Sequence, residues 1–114
     1  GNAFVVYFSD HGQEVYDTRP VRGQIANDPS KHMLDIPFLC WFSPEYQRRN
    51  AEFMGRVKGA VHKPWVTSEF AYAAAELARL SFGGSKPEKT PFSAGYEPWA
   101  RYAPNGSEYG SLDK

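Results

Sequence analysis

The run Phe4-Val5-Val6-Tyr7-Phe8 is entirely β-branched and aromatic, and it stops abruptly at Ser9-Asp10-His11-Gly12. Without polar alternation it reads as a strand covered on both faces, as in a parallel sheet. In α/β proteins the chemistry collects where such strands give way to polar residues and glycine. The strand starts almost at residue 1, so it reads as a central strand with further sequence upstream. Ile36-Pro37-Phe38-Leu39-Cys40-Trp41-Phe42 is a second strand candidate. Its Pro37 belongs near the start or at an edge, because it cannot donate to a ladder.

Between these strands, residues 13–34 read as a long loop punctuated by Pro20, Gly23 and Asn27-Asp28-Pro29. After the second strand, Ser43-Pro44-Glu45 supplies a cap, a proline at the first helical position and an acidic first turn. Tyr46, Phe53, Met54 and Val57 form the apolar side of the helix that follows. A further helix is predicted over about 68–82, capped by Thr67 or Ser68. Phe70, Ala73, Ala74, Leu77 and Ala78 make its buried stripe, and Gly83-Gly84 its stop. Residues 83–114 carry five glycines and four prolines without a sustained period. They read as an irregular tail that packs through Phe92, Tyr96, Trp99 and Tyr102. The division expected is therefore 1–82 as an α/β unit and 83–114 as its tail.

Charge excludes several function classes. Thirteen basic residues balance thirteen acidic ones, whereas a nucleic-acid binder that tracks phosphates shows a basic excess. The same balance argues against a polybasic membrane-surface segment. No run approaches the ~20 apolar residues that span a bilayer, so the chain itself is expected to be soluble. The single Cys40 excludes an internal disulfide and a cysteine-based zinc ribbon. It reads as an inert thiol inside a strand.

The chemistry-bearing signal is Asp10-His11-Gly12. A carboxylate and an imidazole are both ligands for zinc, at about 2.0–2.2 Å. Neighbouring residues of an extended strand point to opposite faces, so the chain must bend for both to reach one ion, and Gly12 eases that bend. The plainer reading is that Asp10 caps a turn and His11 makes an ordinary hydrogen bond.

The stretch Val6-Tyr7-Phe8-Ser9-Asp10-His11-Gly12-Gln13-Glu14 strongly resembles the metal-binding motif of the alkaline phosphatase and sulfatase superfamily. Its continuation narrows the match: Glu14-Val15-Tyr16-Asp17, Asn27-Asp28-Pro29-Ser30-Lys31, Leu34-Asp35-Ile36-Pro37-Phe38 and Trp41-Phe42-Ser43. Together they resemble the phosphoethanolamine transferases that modify the lipopolysaccharide core. The resemblance covers residues 4–82, and Gly106-Ser107-Glu108-Tyr109 more loosely.

What it implies is a C-terminal fragment of a sulfatase-like α/β/α sandwich, with Asp10 and His11 as two ligands of a catalytic zinc. Such enzymes carry phosphoethanolamine from a phospholipid to lipopolysaccharide (lipid A or a core sugar) on a threonine nucleophile, at the periplasmic face of the bacterial inner membrane. That threonine precedes the motif in the family, which makes Thr18, Thr67 and Thr90 poor candidates. Many relatives also carry a histidine about a dozen residues after the Asp-His pair. Here the neighbourhood reads Pro20-Val21-Arg22-Gly23-Gln24. Arg22 is the candidate for holding a phosphate through its planar fork, against the reading of a solvated loop arginine. His32 is a second group that could reach the site, and His62 reads as a surface residue.

The alternatives are a non-catalytic α/β binding or structural module, and a hydrolase of the same superfamily. The 114-residue chain alone is expected to be inactive, lacking a nucleophile and enough metal ligands. If Val5, Tyr7, Phe38 and Trp41 are left wet, it is also expected to form a homodimer through its strands.

Overall fold

A computed structural model describes residues 1–113. The chain divides into two compact units, residues 1–4 with 42–99 and residues 5–41 with 100–113.

The first unit is helical. Ser43 precedes α2 (Pro44–Arg49), and its Oγ accepts the Tyr46 amide at 3.1 Å, with Pro44 at the first position as expected. Asn50, at φ −126° and ψ 39°, breaks the helix, and α3 (Ala51–Gly59) resumes after it. Tyr46, Phe53, Met54 and Val57 are buried, so the predicted apolar side does face the core. A 3-10 turn, Thr67–Glu69, leads into α4 (Phe70–Leu77), where Ala73 and Leu77 are fully buried.

The helix ends earlier than the Gly83-Gly84 pair predicts, because Arg79 takes a left-handed φ of 58°. The Arg79 amide donates to Glu76 O and the Leu80 amide to Ala75 O, at 3.0 and 2.8 Å. Those two bonds form a Schellman motif, a role glycine usually fills. A non-glycine residue is strained there. The Arg79 guanidinium lies 4.3 Å from the centroid of the Phe53 ring, which offsets part of that strain. Ala78, placed on the buried stripe by periodicity, is exposed because the helix has already closed.

Residues 78–99 return over the helices. Phe92 and Tyr96 are buried, and Phe92 meets Phe53 edge-on at 6.2 Å. The Trp65 indole donates to Lys89 O at 2.8 Å, and the Tyr96 hydroxyl donates to Pro64 O. Trp99 packs edge-on against Tyr96. Tyr102 does not join them. It is 66% exposed.

The strands β1 (Phe4–Phe8) and β4 (Phe38–Phe42) pair as a two-stranded sheet. Phe4 sits beside Phe42 and Phe8 beside Phe38, so the strands run antiparallel, not parallel. The aromatic rings share one face with the half-buried Cys40, whose thiol pKa is pushed up by burial. On the other face Val5, Tyr7, Leu39 and Trp41 are exposed, at 56–61%. Leu39 therefore takes the place expected for Phe38, because period-2 geometry puts odd-numbered positions outward.

The second unit is mostly irregular. Where a continuous loop was expected, β2 (Glu14–Val15) pairs antiparallel with β3 (Arg22–Gly23), Glu14 facing Gly23 and Val15 facing Arg22. One helical turn, α1 (Lys31–Leu34), follows with Met33 buried. An isolated bridge joins Tyr102 to Glu108 in the tail.

Candidate metal centre

Past the end of β1, Ser9 folds the backbone over, its hydroxyl donating to His11 O at 2.8 Å. The turn brings the two neighbouring side chains together. Asp10 Oδ1 lies 3.6 Å from His11 Nε2, and both groups reach solvent. Two ligands of a tetrahedral zinc, each about 2.0–2.2 Å from the ion, stand about 3.3–3.6 Å apart. The pair therefore has the separation and the donor types that one first-row metal ion requires. The His11 Nδ1 lies 2.9 Å from Gly12 O. A metal ion on the Asp10 side would take the Nε2 lone pair, with the Nδ1 proton then directed at the Gly12 carbonyl. Among the described residues no set of three or more His, Cys, Asp or Glu gathers to hold a metal. Asp10 and His11 form a partial site.

Gly12 matters here for a reason other than bending. Its φ is not among the left-handed glycines, which are Gly23 and Gly106. Instead its Cα is pressed against the backbone of the α1 segment. A Cβ there would lie 2.1 Å from His32 O and 2.4 Å from Asp35 O. Its amide donates to Met33 O at 2.9 Å. Close approach requires the glycine at this position.

The sequence nominated Arg22, and the structure brings Gln24 to the imidazole. Arg22 is exposed and sits in β3 opposite Val15. Gly23 adopts φ 112°, and beyond it the Gln24 carboxamide nitrogen reaches His11, 2.5 Å from Nδ1, 2.9 Å from Nε2 and 3.4 Å from Gly12 O. The signal that could have found Gln24 is Gly23, whose positive φ turns the chain just before it. His32 contributes through its carbonyl against Gly12. His62 is exposed, as expected.

Under this turn lies a buried carboxylate. Glu14 is fully inaccessible and accepts from Ser30 Oγ at 2.6 Å and from the Thr18 amide and hydroxyl at 2.8 and 3.0 Å. The Ser30 bond, opposed by burial and aided by the Thr18 bonds, holds its pKa down at about 2. Because the folded value is depressed, the stabilisation is complete above the ordinary value of 4.5 and is lost as pH falls toward 2. Glu14→Gln is expected to lower the melting temperature of the intact protein at pH 7. The gap to wild type should narrow steadily between pH 4.5 and 2. A gap that stays constant across that window would contradict the assignment. Thr18 is committed to Glu14, and the Thr90 hydroxyl donates to Glu76 at 2.6 Å.

A family model described as Sulfatase matches residues 1–80 of the chain. The phosphoethanolamine transferase EptC of Escherichia coli K12 is 34% identical over 106 residues, or 91% of this chain and 18% of EptC. The phosphoethanolamine transferase CptA of Salmonella typhimurium is 33% identical over the same shares. The crystal structure of the C-terminal periplasmic domain of Escherichia coli EptC in complex with Zn superposes with a TM-score of 0.86 at 32% identity. That match covers 96% of this chain and 32% of the solved one. The chain thus spans about a fifth of the length of these curated relatives. The Asp10-His11 turn and the strand before it fall inside the matched stretch, and the chain belongs to the sulfatase family.

Proposed function

We propose that this chain is part of a zinc-dependent phosphoethanolamine transferase and supplies two of its metal ligands. The observation that carries the reading is the Asp10–His11 pair, 3.6 Å apart on a turn inside the stretch that the Sulfatase model matches. In this reading the phospholipid is the donor and lipopolysaccharide, at lipid A or a core sugar, the acceptor. The threonine nucleophile and the remaining ligands belong to the longer protein, at the periplasmic face of the inner membrane. Residues 1–82 form part of the catalytic domain, and residues 83–114 its tail.

Zinc bound here would act as a Lewis acid, lowering the nucleophile's pKa and neutralising phosphoryl charge. Asp10 supplies a full negative charge and His11 a neutral lone pair, so the pair leaves one net positive charge on the ion for the substrate and other ligands. The Gly12 carbonyl stands 2.9 Å from His11 Nδ1, where it would accept that nitrogen's proton once Nε2 holds the ion. Gln24 braces the same ring. Arg22, always charged and exposed two residues earlier, is our candidate for the phosphoryl oxygens.

The test is phosphoethanolamine transfer by the intact protein, from a phosphatidylethanolamine vesicle to purified lipopolysaccharide, followed by mass spectrometry with and without a chelator. Zinc-dependent addition of the group to the acceptor is expected. Release of free phosphoethanolamine without acceptor modification would make it a hydrolase, and no turnover at all would favour a non-catalytic module.

A further inference from the structure

The tail beyond residue 100 returns to the segment that Gly12 leans on. The Tyr109 hydroxyl donates to Asp35 Oδ1 at 2.5 Å, and the Lys31 amide donates to Asp113 O at 2.8 Å. Arg19 joins Asp28 at 2.8 Å to Asp113 at 3.4 Å. Lys31 and Arg101 both lie over the Tyr109 ring, 5.3 and 4.2 Å from its centroid. Burial and the neighbouring Asp35 push the phenol up to about 12, so it remains a donor throughout the physiological range. Asn105 donates to Asn27 O farther along the same loop.

The segment so gripped, residues 30–35, carries on its other side the groups that set the metal turn. Met33 O accepts the Gly12 amide, and His32 O and Asp35 O block any side chain at Gly12. Ser30 anchors the same segment to Glu14, two residues past Gly12. With Gly12 hydrogen-bonded to this segment and crowded by it, displacement of residues 30–35 displaces His11.

We infer that residues 101–113 act as a strap that sets the position of the Asp10–His11 turn, with Tyr109 and Arg19 as its positioning residues. This rests on the reading of Asp10 and His11 as metal ligands. Tyr109→Phe removes one hydroxyl and leaves the ring beneath its two cations. Groups that support a metal ligand typically change metal affinity by about 10–100-fold, and the lower end applies to a group one step further out.

The experiment measures zinc affinity of the intact protein by competition with a chromophoric chelator, alongside kcat and KM. Tyr109→Phe and Arg19→Lys are each expected to weaken zinc binding by about tenfold, to lower kcat and to leave KM unchanged. Asp35→Asn, which keeps an acceptor oxygen for Tyr109, should stay within about twofold of wild type, as should the exposed Tyr102→Phe. A melting temperature within about 2–4 °C of wild type separates a positioning effect from loss of fold. If Tyr109→Phe and Arg19→Lys both bind zinc normally while His11→Ala does not, the strap is refuted and the ligand reading stands. If His11→Ala also binds normally, the ligand reading fails, and the strap with it.

Discussion

Replacing His11 by alanine in the intact protein is expected, on the proposed function, to empty the metal site and to reduce phosphoethanolamine transfer by roughly a thousandfold or more. The size follows from what a bound Lewis acid contributes, several kcal/mol of transition-state stabilisation, with each 1.36 kcal/mol worth a factor of ten. His11→Ala removes the imidazole nitrogen that stands 3.6 Å from Asp10. Asp10→Ala should do as much, because it deletes a donor and the charge that balances the cation. Asp10→Asn, which keeps one donor oxygen but no charge, should retain some metal and little turnover. Zinc content by atomic emission, with the transfer assay on the same preparations, separates a lost ligand from a lost fold. Near-normal zinc and turnover in either alanine variant would show that this pair is an ordinary turn.

The second large effect is on stability. Leu77 is fully buried on α4, and its carbonyl accepts the hydroxyl of buried Tyr46. Leu77→Ala deletes three heavy atoms at a site that solvent does not reach. Such substitutions destabilise by about 2–5 kcal/mol, the upper half applying where the neighbours cannot collapse into the space. Tyr46 and Leu77 are tied together through that hydrogen bond, which limits the collapse. Leu80, three residues on, is 65% exposed, and Leu80→Ala should change stability by less than about 0.5 kcal/mol. The paired urea midpoints test the burial pattern directly. Equal shifts for the two variants would mean that α4 does not face the core as described.

The strands β1 and β4 and the starts of α2 and α4 were legible because their signals are local, whereas β2, β3 and α1 lie in the stretch that reads as a loop. Ser43-Pro44 announces a helix start by capping chemistry alone, and the spacing of Tyr46, Phe53, Met54 and Val57 selects a face without reference to other elements. Asp10 and His11 stood out because the stretch from Val6 to Glu14 resembles a known metal-binding motif; an adjacent Asp-His pair after a strand reads by itself as an ordinary turn. What escaped depended on torsions or on long-range contact. Arg79 closes α4 in a left-handed conformation that nothing in its identity announces, so the helix stops before the glycines. Gln24 was passed over for Arg22, since which of them meets His11 is decided by the β2–β3 register and by Gly23. The antiparallel pairing of β1 with β4 was hidden as well. A run with no polar alternation looks the same whether its second face is covered by this chain or exposed. The strap was out of reach because Tyr109 and Asp35 are 74 positions apart.

The crowding at Gly12 has a consequence for how this site tolerates sequence change. The atoms it meets are main-chain oxygens of residues 32 and 35, and every amino acid carries those oxygens. A larger residue at position 12 therefore has no compensating partner: shortening or reshaping the side chains of His32 or Asp35 leaves the collision in place. Most tightly packed positions vary jointly with their neighbours, trading volume between side chains. Position 12 should instead be restricted on its own, uncoupled from the identities at 32 and 35, and relieved only by displacement of the α1 segment itself.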